Sequence, residues 1–167
     1  MVEIGARDTL QPALLDRLTD DDPTHKIESR QERVISRSQL RASVLRDLSW
    51  LFNTTNLAAD ADLAGYPLVA QSTLNYGLAP LSGKLVSSLD LPRLERGLKD
   101  AILRFEPRIL PHTLSVRGIG QTDPLAHHNV VSFEIRGDLW GHPYPLELLL
   151  KTDVDLENGE IRIADGS

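Results

Sequence analysis

Apolar residues recur at helical spacing between Ser38 and Phe52, with Leu40, Val44, Leu45, Leu48, Leu51 and Phe52 on one side and Arg41, Arg46 and Asp47 on the other. The pattern predicts a helix that buries one stripe. Ser36 or Ser38 can cap its start, and Asn53-Thr54-Thr55-Asn56 supplies turn chemistry at its end. A second helix is predicted over Leu91 to Phe105, where Leu91, Leu94, Leu98, Ala101, Ile102 and Phe105 share a stripe, Asp90 is a cap and Pro92 a first-turn proline. Between the two, Leu63 to Leu81 is interrupted by Gly65-Tyr66-Pro67, Asn75-Tyr76-Gly77 and Ala79-Pro80, which predicts a loop holding short ordered pieces. Loops of this length inside a compact domain are often functional.

After Pro107 the period changes from about 3.6 to 2. Leu110, His112, Leu114 and Val116 alternate with Ile109, Thr113, Ser115 and Arg117; Val131, Phe133 and Ile135 alternate with Ser132, Glu134 and Arg136; Leu146, Leu148, Leu150 and Val154 follow. These are three strands, and Asn158-Gly159 signals a tight hairpin into a short fourth strand at Ile161 to Ala164. Helices first and antiparallel strands last predict an α+β fold, with two main amphipathic helices packed on one face of a three- to four-stranded, mainly antiparallel C-terminal sheet. Residues 1–35 read as a flexible segment, in which Leu14, Leu15 and Leu18 suit a short helix docking on this domain or a neighbour, and residues 36–167 as a single α+β domain.

Length and composition narrow the function. A chain of 167 residues, 41% hydrophobic, supports one ordinary core. Its formal charge of -6 and pI near 5.3 argue against neutralising phosphates on nucleic acid or on an anionic membrane. The absence of cysteine excludes disulfides, thiolate catalysis and Cys-ligated metals. Met1 to Leu10 lacks the basic and apolar regions of a signal peptide, and no run is apolar enough to span a bilayer. A soluble intracellular protein with protein or small-molecule partners is expected.

The usual catalytic signatures are missing. No Gly-rich phosphate loop follows a strand, and Ser82-Gly83-Lys84 lacks the glycine spacing of one. None of His25, His112, His127, His128 and His142 stands at the i, i+4 spacing that converges two imidazoles on a metal, and His127-His128 offers at most an incidental contact. The run Asp20-Asp21-Asp22 reads as solvated surface. No serine elbow exists, aromatics are only 5%, and no carboxylate pair is singled out for glycoside chemistry. No catalytic residue, cofactor or metal is expected.

One tripeptide has an unusual setting. Glu106 places a negative charge beside the negative end of a helix dipole, Pro107 ends the helix, and Arg108 presents a guanidinium just beyond. On its own this reads either as an internal Glu/Arg pair around a proline stop or as a pre-aimed donor fork for a partner. As a general acid Glu106 is badly placed, because a guanidinium beside it favours the ionised carboxylate over the acid. Trp50 adjoins the apolar stripe and is expected in the core or half buried; Tyr76 is evenly divided between loop packing and partner contact.

Three segments in order, Ser43-Val44-Leu45-Arg46-Asp47-Leu48-Ser49-Trp50-Leu51-Phe52-Asn53-Thr54, Ser72-Thr73-Leu74-Asn75-Tyr76-Gly77-Leu78 and Phe105-Glu106-Pro107-Arg108-Ile109-Leu110, resemble the TssE family of type VI secretion baseplate subunits. That family is related to the small wedge protein of contractile phage tails, once labelled lysozyme-like. Thr152-Asp153-Val154-Asp155-Leu156 fits as well, while Leu78-Ala79-Pro80 departs from the more usual Pro-Asp pair and puts that loop's contacts in doubt.

The resemblance, which covers about residues 35–164, implies a non-enzymatic structural subunit that joins baseplate wedge subunits and helps initiate sheath polymerisation. Its implied partners are wedge subunits of the TssF, TssG and TssK type and sheath proteins of the TssB and TssC type. The implied location is cytoplasmic, at the inner face of the membrane and without insertion into it. Glu106, Pro107 and Arg108 match the family's signature without substitution, so they are expected to face a partner or to organise the surface that does, with Tyr76 as a further partner-binding candidate. The alternatives are a carboxylate-dependent peptidoglycan hydrolase and a free-standing adaptor. An open sheet edge, at or near Leu146 to Asp155 or Ile161 to Ala164, is the expected template for a sheath strand.

Overall fold

The computed structural model describes residues 12–19, 35–82, 90–119, 130–141 and 144–166. Along them run α1 (Leu14–Leu18), α2 (Arg37–Phe52), α3 (Pro67–Gln71), α4 (Leu91–Phe105), β1 (Ser115–Ile119), β2 (Val130–Leu139), β3 (Leu146–Asp155) and β4 (Ile161–Asp165), with 3-10 turns at Leu57–Ala59 and Thr73–Asn75. Asp20-Asp21-Asp22, His25, Gly83-Lys84, His127-His128 and His142 lie outside the described residues.

Both long helices start where capping chemistry starts them. Ser36 Oγ accepts from Gln39 N–H at 3.2 Å while Gln39 Oε1 accepts from Ser36 N–H at 2.8 Å, a reciprocal capping box. Asp90 accepts from Arg93 N–H at 3.0 Å, with proline in the first turn. The loop between the helices resolves into α3 and the turn Thr73–Asn75, closed by Gly77 at a φ of 114°. Gly77 lets Leu78 N–H reach Thr54 C=O at 2.8 Å, and a Cβ there would stand 2.2 Å from that oxygen.

The sheet is an antiparallel meander in the order β1-β2-β3-β4. Alternate residues Val131, Phe133, Ile135 and Leu139 of β2 and Leu148, Leu150, Thr152 and Val154 of β3 are buried. The hydrophobic ones pack in one core with Leu40, Val44, Leu48 and Leu51 of α2 and Leu98 and Ile102 of α4. This is the expected α+β arrangement, and each large apolar side chain it buries stabilises by about 1.5–3 kcal/mol.

Two expectations are corrected in detail, and a third, left open between two segments, is narrowed to one. The first strand begins at Ser115, because residues 111–113 form a turn in which Thr113 Oγ1 bonds Leu110 C=O and Asp138 N–H. The β3–β4 connection is longer than a two-residue turn: Gly159, at a φ of 79°, closes it by donating to Asp155 C=O. Of the two candidate edge segments, Ile161 to Ala164 lies on the edge strand, whereas Leu146 to Asp155 is bonded to β2 along its length and to β4 over its second half.

Candidate functional site

Glu106 follows α4 as its C-cap and precedes a proline, so its backbone leaves the helical region, with φ at -121° and ψ at 79°. Its side chain thereby turns back to meet Arg108. Glu106 Oε1 accepts from Arg108 Nε at 2.6 Å and from its backbone N–H at 3.1 Å, and Oε2 accepts from Nη2. The same guanidinium then reaches α2, where Nη1 donates to Ser43 Oγ at 3.0 Å and Nη2 to Asp47 Oδ2 at 2.6 Å. Ser43 and Asp47 stand one turn apart, so a single planar fork joins the exit of α4 to the side of α2.

The main chain of the element is anchored to the sheet. Arg108 C=O accepts from Trp140 N–H at 2.7 Å and Leu110 N–H donates to Asp138 C=O at 2.8 Å, extending the row past the end of β1. Asp47 is the hub on the other side, since its Oδ1 accepts from Arg46 Nε at 3.0 Å. Arg46 also pairs with Asp16 of α1. The result is an alternating run of charge: Asp16, Arg46, Asp47, Arg108, Glu106.

Burial alone would favour loss of the Arg108 proton, but the bonds and charge of Glu106 and then of Asp47 outweigh it, so its pKa is raised. Only 3% of Glu106 is exposed, and four donor contacts of Arg108 are made within the chain. The fork is therefore engaged within its own chain, with 22% of the Arg108 side chain exposed. Pro107 is the part of the tripeptide that faces solvent.

Tyr76 packs edge-on against Phe105, with ring centroids 5.1 Å apart, and its hydroxyl approaches Asp47 C=O at 3.4 Å. Burial first, then the charges of Asp47 and Glu106, raise its pKa. Trp50 is not in the core: it is half exposed, beneath the Arg46 guanidinium at 5.2 Å from the ring centre, because its position on α2 points away from the sheet. Arg104 Nη1 and Asn75 Nδ2 both donate to Ala70 C=O, which ties α3 to the last turn of α4. Over this tie, Tyr66, Leu68 and Leu74 are exposed by 63%, 83% and 69%.

Glu106, Pro107, Arg108 and Tyr76 are legible in the sequence, whereas Asp47 reads there as a solvent-side residue and Ser43 has no role of its own; Asn53, read as turn chemistry ending the helix, is its C-cap. The i, i+4 spacing of Ser43 and Asp47 is the signal that pairs them. Among the described residues no group of His, Asp and Glu is arranged to hold a metal ion. No described helix is long and apolar enough to cross a membrane.

The family model of the baseplate wedge protein gp25 matches residues 38–144, which take in all of α2 but its first residue, α4, β2 and every residue of the Glu106–Arg108–Asp47 knot. The chain belongs to the gp25 family. None of the curated proteins and none of the solved structures matches it. The gp25 assignment agrees with the resemblance to TssE, and it makes the chain a structural baseplate component that works with other baseplate components. For a gp25-family chain the inward knot is sensible: it fixes the relative placement of the two main helices and one end of the sheet, and so fixes the surface they share.

Proposed function

We propose that the chain is the TssE-type subunit of a type VI secretion baseplate, that it joins wedge subunits of the TssF, TssG and TssK type, and that it starts polymerisation of a TssB/TssC-type sheath at the cytoplasmic face of the membrane. The observation that carries this is the family match over residues 38–144, joined by three exposed apolar side chains, Tyr66, Leu68 and Leu74, on the connector that Arg104 ties to α4. Large apolar side chains left in solvent on one connector suit a protein interface. In this reading Glu106, Pro107, Arg108 and Tyr76 serve the partner surface by organising it: the charges hold the frame, Tyr76 braces Phe105, and Pro107 lies at the surface. The β4 edge offers main-chain groups to a sheath strand. A hydrolase reading loses its acid, since Glu106 is buried and both its oxygens are bonded to Arg108.

Affinity capture of the chain from the cell that makes it, followed by hydrogen exchange with and without its sheath protein, tests the proposal. A baseplate subunit elutes with a large multi-subunit assembly and gains protection within β4. Elution with a single small partner favours the adaptor, and unchanged exchange in β4 removes the templating role.

A further inference from the structure

The outward row of β4 is not uniform. Pairing with β3 uses the main chain of Arg162 and Ala164, as the flanking bonds Asp155 N–H to Glu160 C=O and Gly166 N–H to Leu149 C=O require. Ile161 and Ile163 therefore turn their N–H and C=O away from the sheet. At Ile161 both groups are taken: Asn53 Oδ1 accepts the N–H at 2.9 Å and Asn53 Nδ2 donates to the C=O at 2.8 Å. A carboxamide carries the same donor and acceptor as a peptide unit, so Asn53 stands where the first rung of an added strand would stand. Its orientation is fixed, because Nδ2 also donates to Ser49 C=O at 2.8 Å and Asn53 is the C-cap of α2.

The neighbouring positions limit the edge further. At the far end of β4, Arg41 of α2 bridges the Asp165 carboxylate at 2.7 Å and Glu147 C=O at 3.3 Å. Between these two fixtures, Ile163 N–H and C=O have no partner among the described residues. On the opposite edge, Gly118 N–H of β1 donates to the Glu95 carboxylate of α4 at 2.6 Å, a charged guard that an incoming carbonyl would have to displace.

We propose that Asn53 sets the register in which an extended segment of a sheath protein adds to β4, so that the added ladder begins at Ile163 and stops short of Ile161. This rests on the reading that the β4 edge receives the sheath. Asn53 acts here as a positioning residue, and the partner is recognised by its main chain, with a side chain packing beside half-buried Ile163.

The chain has no cysteine, so introduced thiols report register cleanly. Full-length A164C, co-expressed with the sheath protein carrying single cysteines along its extended segment, is expected to cross-link at one partner position. In the background of N53A that position moves by one two-residue step, which keeps the same face toward the sheet. I163P lowers capture by about ten-fold or more while the β3–β4 ladder persists, because the Ile163 N–H is not part of that ladder.

A second reading needs no variant: on binding, the Ile163 amide becomes protected and the Ile161 amide, already bonded, does not change. An unmoved cross-link in N53A, or new protection at Ile161, overturns the role of Asn53 and leaves the edge reading intact. Parent-like capture by I163P, or no capture by the parent protein, overturns the edge reading and the register proposal together.

Discussion

Arg108 shows how a side chain can matter to an interface without touching it. Its guanidinium joins Glu106 to Ser43 and Asp47, and the last two lie 65 and 61 residues away in sequence. Arg108→Ala leaves Glu106 buried without its counter-charge and is expected to lower the stability of the isolated chain by roughly 2–3 kcal/mol, measured by urea denaturation. A loss under about 0.5 kcal/mol, with assembly abolished, would return the fork to the partner surface. That the tripeptide is special was legible, because Glu106-Pro107-Arg108 stands against the helix dipole. Its direction was not, because nothing local in the sequence says that Asp47, placed among the solvent-side residues of its helix, is the acceptor.

At the scale of elements, the parts governed by local chemistry were read well. The bounds of α4 and its Asp90 cap follow from a stripe and a proline, and β3 follows from its alternation. The start of β1 was misread, since Leu110 to Leu114 keeps a two-residue period while Pro111 and the Thr113 hydroxyl fold it into a turn. The reciprocal bond of Gln39 to Ser36 was not foreseen, although a serine followed three residues on by glutamine is its sequence signature. Gly77 is the connector's decisive residue. Gly77→Ala has both a positive φ and a backbone oxygen 2.2 Å away to contend with, so a loss of at least about 2 kcal/mol in unfolding free energy is expected. The same change at Gly65, where a Cβ would meet nothing within 4 Å, serves as the control.

For the whole molecule, the frame and the surface separate. The frame is the hydrophobic core and the charged knot, and the surface is what the frame leaves exposed over α3 and the turn after it. Replacing Leu68 and Leu74 together by aspartate is expected to leave the melting temperature within a few degrees and to abolish co-purification with wedge subunits, since both side chains are mostly solvated in the free chain. Retained co-purification places the wedge contact elsewhere.

The bond between Asn53 and Ile161 spans 108 residues, and the pair Arg41 and Asp165 spans 124. During translation, at about 5–20 residues per second, α2 is made roughly 5–20 s before β4. Through much of that interval Leu40, Val44, Leu48 and Leu51 wait for the strands they pack with, so the nascent chain shows chaperones a greasy helix until the sheet has been made.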